Sequence, residues 1–230
     1  MIPIRIVGMG ACSALGDGLA PLREALFTGL DGLRPVRRFS TDPFQASLAG
    51  MVPHYDDRAY DGGAMANRLC PAFASIAIRE ALAGIDPVPR TLLIMGTSQV
   101  DAELPVHRLV ADTCAELGWD VPAVTVSTAC SSSTAAIALG VATLRAGLAD
   151  RAVAGGADVL VPELYGGFDA LGLLTKEKCA PFGRRRPARP RPRGSSACPR
   201  GRGSADRPGS RRGRSEEHTS ELQSQFRISY

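Results

Sequence analysis

Apolar residues along this chain fall into short runs that alternate with longer segments in which they recur at helical spacing. The short runs are predicted to be buried β-strands, and the longer segments are predicted to be helices. The predicted strands cover residues 2–7, 90–96, 123–127 and 151–154, and the predicted helices cover residues 19–30, 65–83, 105–117, 131–146 and 165–174. This alternation indicates an α/β fold whose mainly parallel sheet is covered by helices on both faces.

The composition of two segments predicts features beyond this alternation, an irregular region and a buried helix. Residues 31–62 are rich in Pro, Asp and Gly, and they are predicted to be irregular, with a short hairpin within residues 45–52. The helix predicted over residues 131–146 is rich in Ala and contains a Gly. Small residues around a whole helix allow close packing on every side, so we expect this helix to be buried.

The charge distribution divides the chain into two chemically different parts. Residues 1–183 carry 14 Lys+Arg and 19 Asp+Glu, a net charge of −5, whereas residues 184–230 carry 13 and 4, a net charge of +9. The basic character therefore belongs to the second part and gives no information about what the first part binds. We predict a folded domain over residues 1–182 and a disordered basic tail over residues 183–230.

The predicted tail consists mainly of Arg, Pro, Gly and Ser, and it cannot bury enough apolar surface to fold. One interpretation is a basic arm that binds nucleic acid, but no aromatic residue is interleaved before Phe226 to stack on bases. The other interpretation is translation in a wrong reading frame, followed at residues 214–224 by a translated sequencing adapter. We favour the second interpretation and predict no nucleic-acid partner.

The remaining composition narrows the class of protein. The six cysteines form no C-x-x-C pair, and the chain has only three His, so we predict no metal site and free thiols in a reducing compartment. The segment Gly8-Met-Gly-Ala-Cys-Ser13 only faintly matches a dinucleotide fingerprint, so no cofactor is predicted. No basic, apolar leader and no run of 18 apolar residues occurs, which predicts a cytoplasmic protein without a membrane span.

The strongest candidate for chemistry is Cys130, which lies between a predicted strand and a predicted helix. A cysteine on such a turn is exposed at the carboxyl edge of the sheet, next to the amide groups at the start of the helix. Those amides favour the thiolate and can donate hydrogen bonds to an oxyanion. From the spacing alone, a small buried structural cysteine is an equally open interpretation.

The segment Ser127-Thr-Ala-Cys-Ser-Ser-Ser133 resembles the active-site segment of β-ketoacyl synthases, in which the cysteine accepts the acyl group. Three other segments resemble the same family in the same order along the chain: Ile4-Arg-Ile-Val-Gly-Met-Gly-Ala-Cys-Ser-Ala-Leu-Gly16, Arg151-Ala-Val-Ala-Gly-Gly-Ala-Asp158, and Gly167-Phe-Asp-Ala-Leu-Gly-Leu-Leu-Thr175 with Cys179-Ala-Pro-Phe182. The resemblance covers residues 1–182. It implies the N-terminal half of a thiolase-like layered fold with the helix after Cys130 at its centre.

The resemblance also implies a function. The parent enzyme would be an acyltransferase, a 3-oxoacyl-acyl-carrier-protein synthase of fatty acid or polyketide-type biosynthesis. It would hold an acyl group on Cys130 and condense it with a malonyl thioester on acyl carrier protein, without a cofactor. Family members form homodimers or heterodimers, which would place residues 120–126 near the interface. The alternative is a non-catalytic fragment or partner subunit of a condensing-enzyme dimer.

The sequence departs from the family pattern after Phe182, where Gly183 stands in place of the expected Asp. In the family, the second half supplies two catalytic histidines and one oxyanion-hole amide. The three histidines of this chain, His54, His107 and His218, lie outside any such motif, and we interpret them as structural or incidental. This chain is therefore expected to be incapable of condensation, although Cys130 could still be acylated.

Overall fold

The computed structural model describes residues 3–55, 63–86, 88–98 and 106–176. The strands are β1 (Cys12–Ser13), β2 (Gly16–Asp17), β3 (Leu33–Pro35), β4 (Leu48–Gly50), β5 (Thr91–Gly96), β6 (Ala123–Val126) and β7 (Arg151–Gly156). The helices are α1 (Leu19–Thr28), α2 (Gly63–Ala81), α3 (Arg108–Leu117), α4 (Ser132–Arg145) and α5 (Pro162–Ala170), with one turn of 3₁₀ helix at Pro53–Tyr55. The predicted tail lies outside the described residues.

The centre of the structure is a parallel three-stranded sheet in the order β6-β5-β7. Ile94 of β5 is opposite Val124 of β6 and Ala154 of β7. Three of the four predicted strands therefore exist, and the prediction of a mainly parallel sheet is confirmed for the central sheet. Their carboxyl ends meet at one edge, which is where the α/β arrangement places its functional loops.

Side chains that alternate along β5 point to opposite faces of the sheet. Leu93 and Met95 belong to a buried cluster with side chains of α2 and α3, including Phe73. Ile94 instead joins a smaller cluster with Ala136 of α4 and Ala154. The sheet is thus covered by α2 and α3 on one face and by α4 on the other, as the sequence predicts.

The strand predicted over residues 2–7 is wrong for the described residues, because residues 3–11 form no strand. Ile6 is 60% exposed and Val7 is 54% exposed. At Gly8 and Gly10, a Cβ would overlap backbone carbonyls of α2, so these two residues pack closely along that helix. An apolar run becomes a strand only where a neighbouring strand edge pairs with it.

The burial predicted for α4 is only half correct. Ser132, Ala136 and Gly140 are buried, at a spacing of four residues that follows one face of the helix. Leu139, on another face, is 41% exposed. The small residues do permit close packing, and within the described part of the chain it is the sheet that packs against the helix.

The hairpin predicted within residues 45–52 is also wrong. Strand β4 lies there, but it pairs in antiparallel fashion with the distant β3, with Leu33 opposite Gly50. Tyr165 of α5 is buried near this ribbon and stacks edge-on against Phe39 and Phe44. This second, smaller core connects the irregular region to α5, which begins three residues before the predicted helix start at residue 165.

Candidate active site

Cys130 lies on the sharp turn between β6 and α4, and its side chain is exposed. The residue before it, Ala129, has a φ of 54° and is the one described non-glycine residue with positive φ. This left-handed conformation costs an L-residue about 1–2 kcal/mol. Strained backbone of this kind persists only where surrounding contacts hold it, and it occurs preferentially at functional sites.

Two amides at the start of α4 are used inside the turn. The amide of Ser131 donates to the carbonyl of Thr128 at 3.3 Å, and the amide of Ser132 donates to the carbonyl of Ala129 at 3.1 Å. The sequence predicts that amides at the start of this helix can donate to an oxyanion, and for these two the structure contradicts that prediction. Their bonds tighten the turn instead of leaving donors for a substrate oxygen.

The hydroxyl of Ser132 lies beneath the turn, and this residue is only 3% exposed. Its Oγ accepts a hydrogen bond from the amide of Thr128 at 2.9 Å. Its own proton can go to the carbonyl of Ala129 at 2.6 Å or to the carbonyl of Thr97 at 2.9 Å. One buried side chain thus connects the strained turn to the end of β5, a link that the sequence reasoning missed.

The anchor at the end of β5 is itself held by a carboxylate after β7. Oδ1 of Asp158 accepts from the hydroxyl of Thr97 at 2.8 Å and from the amide of Ser98 at 2.8 Å. The two loops that follow β5 and β7 are therefore joined to each other and, through Ser132, to the cysteine turn. A hydrogen bond to a charged carboxylate is stronger than one between neutral groups.

Two glycines allow α4 to sit directly on the carboxyl ends of the strands. A Cβ at Gly96 would lie 2.5 Å from the backbone oxygen of Ser132 and 2.5 Å from the backbone nitrogen of Ser133. A Cβ at Gly156 would overlap the hydroxyl of Ser133. Both positions need glycine because of this close approach, and this requirement cannot be read from the local sequence.

The other described cysteines lie in environments that suppress the thiolate. Cys12 is buried and donates from Sγ to Asp17 at 3.3 Å, and burial, followed by Asp17, raises its pKa well above the ordinary range. Burial likewise raises the pKa of Cys70 and that of Cys114. Cys130 is the exposed cysteine of the described part of the chain, whereas Cys179 and Cys198 lie outside the described residues.

The two histidines in the described part of the chain lie in other elements than the turn of Cys130. His54 is in the 3₁₀ turn, with its Nε2 3.9 Å from a carboxylate oxygen of Asp17. His107 immediately precedes α3, and His218 lies outside the described residues. Among the described residues, no cluster of His, Cys, Asp and Glu could hold a metal ion. No described helix is long and apolar enough to cross a membrane.

Residues 107–191 match the family model of the β-ketoacyl synthase N-terminal domain. A 3-oxoacyl-[acyl-carrier-protein] synthase I of Hordeum vulgare chloroplasts is 26% identical over 220 residues, which cover 79% of this chain and 48% of that protein. Mycoketide-CoA synthase of Mycobacterium tuberculosis is 34% identical over 229 residues, which cover 80% of this chain and 5% of that protein. The chain thus spans about half the length of its chloroplast relative.

Solved structures show the same fold. The ishigamide ketosynthase/chain length factor superposes with a TM-score of 0.66 at 24% identity, covering 78% of this chain and 53% of that one. A β-ketoacyl synthase from Burkholderia phymatum superposes with a TM-score of 0.61 at 21% identity, covering 76% and 52%. These solved structures share the fold of the described residues, and residues 107–191 of this chain match the N-terminal domain of the β-ketoacyl synthase family.

Proposed function

We propose that this chain provides the acyl-accepting half of a 3-oxoacyl-acyl-carrier-protein synthase, with Cys130 as the nucleophile. The observation that carries the proposal is the exposed thiol of Cys130 on a strained strand-to-helix turn. The other described cysteines are buried or have a raised pKa, so Cys130 is the thiol best placed to react.

In the proposed reaction, the thiolate of Cys130 attacks the carbonyl carbon of an acyl thioester on a carrier protein. A carbon–sulfur bond forms to Cys130, and the bond to the carrier's sulfur breaks. The carrier leaves as a thiolate, which takes a proton from solvent. The acyl group is then held on the protein as a new thioester, and no redox change occurs.

Condensation with a malonyl thioester is proposed only for a longer protein that includes the second half of the family fold. We further propose that residues 1–182 are the folded unit and that the tail takes no part in the reaction. Incubation of the full chain with octanoyl-acyl carrier protein should add one octanoyl mass to the peptide that contains Cys130. The C130A variant should show no such addition, and C114A should react like the wild type.

The absence of acylation at Cys130, with alkylation of the same thiol intact, would contradict this proposal. Formation of a 3-oxoacyl product from malonyl-acyl carrier protein by this chain alone would contradict the expectation that the second half is needed. Both products are resolved by mass spectrometry of the same reaction.

A non-catalytic partner subunit is the second candidate, and two exposed apolar positions favour it. Leu139 on α4 and Val124 on β6 are both more than two-fifths exposed, and a partner that covered them would bury apolar surface. A dimer with residues 120–126 at its interface would cover Val124. Native mass spectrometry that shows a dimer without acylation would support this role, and a monomer that is acylated would reject it.

A further inference from the structure

We propose that Ser132 is a positioning residue for Cys130. It fixes the orientation of the thiol by holding the strained backbone at Ala129, the residue before the cysteine. The inference rests on the proposed function in one respect, because it takes Cys130 as the reacting thiol. Ser132 touches neither the thiol nor a substrate. Its effect passes through Thr128 and Ala129, which precede the cysteine in the turn.

The hydroxyl is suited to this role because its hydrogen-bond partners are backbone groups. It accepts from the amide of Thr128 at 2.9 Å and donates to the carbonyl of Ala129 or of Thr97. A hydroxyl has a single proton to donate, so these two carbonyls are alternatives. The bond to Ala129 holds the turn against Ser132, and the bond to Thr97 holds Ser132 against the end of β5.

The hydrogen bonds of the Ser132 hydroxyl lie on both sides of the strained residue, Ala129. Ala129 has a φ of 54°, a conformation that an alanine leaves unless its neighbours hold it there. The Ser132 hydroxyl bonds to the amide of Thr128, just before Ala129, and to the carbonyl of Ala129 itself. Without the hydroxyl, the amide of Thr128 loses the acceptor that Ser132 supplies, and Ala129 can relax toward an ordinary conformation.

A second link keeps Ser132 itself in place. The carbonyl of Thr97 belongs to a residue whose side chain is held by Asp158 at 2.8 Å. The helix start is also pressed against Gly96, where even a methyl group would not fit. Ser132 is therefore held in place by the end of β5. Removal of its hydroxyl should displace the turn and leave the position of the helix unchanged.

The experiment measures two rates at Cys130 in the full chain, using iodoacetamide and the octanoyl thioester of N-acetylcysteamine as probes. Peptide mass spectrometry assigns each product to its cysteine. S132A should slow both reactions at Cys130 by about tenfold or more, because the thiol is no longer held in one orientation. T143A is the matched control, since Thr143 on the same helix also donates to a backbone carbonyl, that of Leu139 at 2.9 Å. It should leave both rates within about twofold.

A double-mutant cycle separates positioning from general stability. Glycine adopts positive φ without strain, so A129G removes the tension that Ser132 holds. In the A129G background, S132A should slow the reactions by only about threefold or less. S132T retains the hydroxyl and should restore most of the wild-type rate, and the A129G cycle decides the matter if S132T does not fold.

Several outcomes would overturn the inference. The first is an alkylation rate in S132A that equals or exceeds that of the wild type. The second is an equal loss in the two backgrounds accompanied by a lower melting temperature, which would show a purely structural role. If wild-type Cys130 is alkylated but never acylated, the proposed function fails instead, and the alkylation rates still judge Ser132.

Discussion

Replacement of Gly96 by alanine tests whether close packing of α4 on the sheet sets the position of Cys130. The new Cβ would lie 2.5 Å from two backbone atoms at the start of α4. Non-bonded heavy atoms prefer about 3.5–4.0 Å, so the helix must retreat by about 1 Å. Backbone atoms cannot rotate away from the methyl group, and overpacking of this kind costs about 1–3 kcal/mol.

The functional effect should exceed the loss of stability. A displacement of about 1 Å at a reacting group can lower the rate by about 100-fold, and the helix that moves carries the turn of Cys130. The assay combines thermal unfolding of G96A with its rate of acylation by the octanoyl thioester. We expect a lower melting temperature and a rate at Cys130 that falls by about 10-fold to 100-fold.

The matched control is G167A in α5. A Cβ at Gly167 meets nothing within 4 Å, so this substitution adds a methyl group without overlap. Alanine is the better helix former, and G167A should raise stability by up to about 1 kcal/mol without changing the rate at Cys130. If G96A were as stable and as reactive as the wild type, the close contact between β5 and α4 would not control the site.

Three further outcomes follow from the buried and paired groups. Y165F should lower the free energy of unfolding by about 1 kcal/mol. Burial, followed by Asp169, raises the pKa of Tyr165 to about 12, so the wild type should lose stability as pH rises from 10 to 12. Alkaline unfolding of Y165F should lack this loss. The hydrogen bond from Arg90 lowers the pKa of Asp150, so its stabilising effect is present above the ordinary carboxyl range and is lost as pH falls through the lowered value. D150N removes this carboxylate, and acid titration should show less loss of stability in D150N. Iodoacetamide applied briefly at pH 8 should modify Cys130 and spare Cys12, and equal labelling would contradict their different burial.

Local sequence determined most of the elements. Hydrophobic runs identified β5, β6 and β7, because buried parallel strands are apolar throughout their length. The predicted helix end at residue 117 is confirmed for α3, and Gly118, which follows it, has a φ of 67°, as is common for the left-handed residue after a helix. The strand-to-helix position of Cys130 was also predictable, since both elements beside it have strong local patterns.

Contacts between distant segments decided the rest. The run at residues 2–7 has the composition of a strand, but its described residues form none, and Gly8 and Gly10 just after it pack against α2. Strand β4 pairs with β3, and the intervening residues give no register signal that would predict it. The Ala-rich pattern of α4 allowed burial on every side. Whether a face is buried depends on which other element packs against it, and the helix sequence does not specify that element.

The candidate site shows the same division. The sequence by itself determined that a cysteine lies between a strand and a helix, and its motif indicated the family. Only the tertiary structure showed that Ser132 ties the strained Ala129 to Thr97, a residue more than thirty positions earlier in the chain. Periodicity reports which side of an element is apolar, whereas a hydrogen bond between two loops depends on how close folding brings their ends.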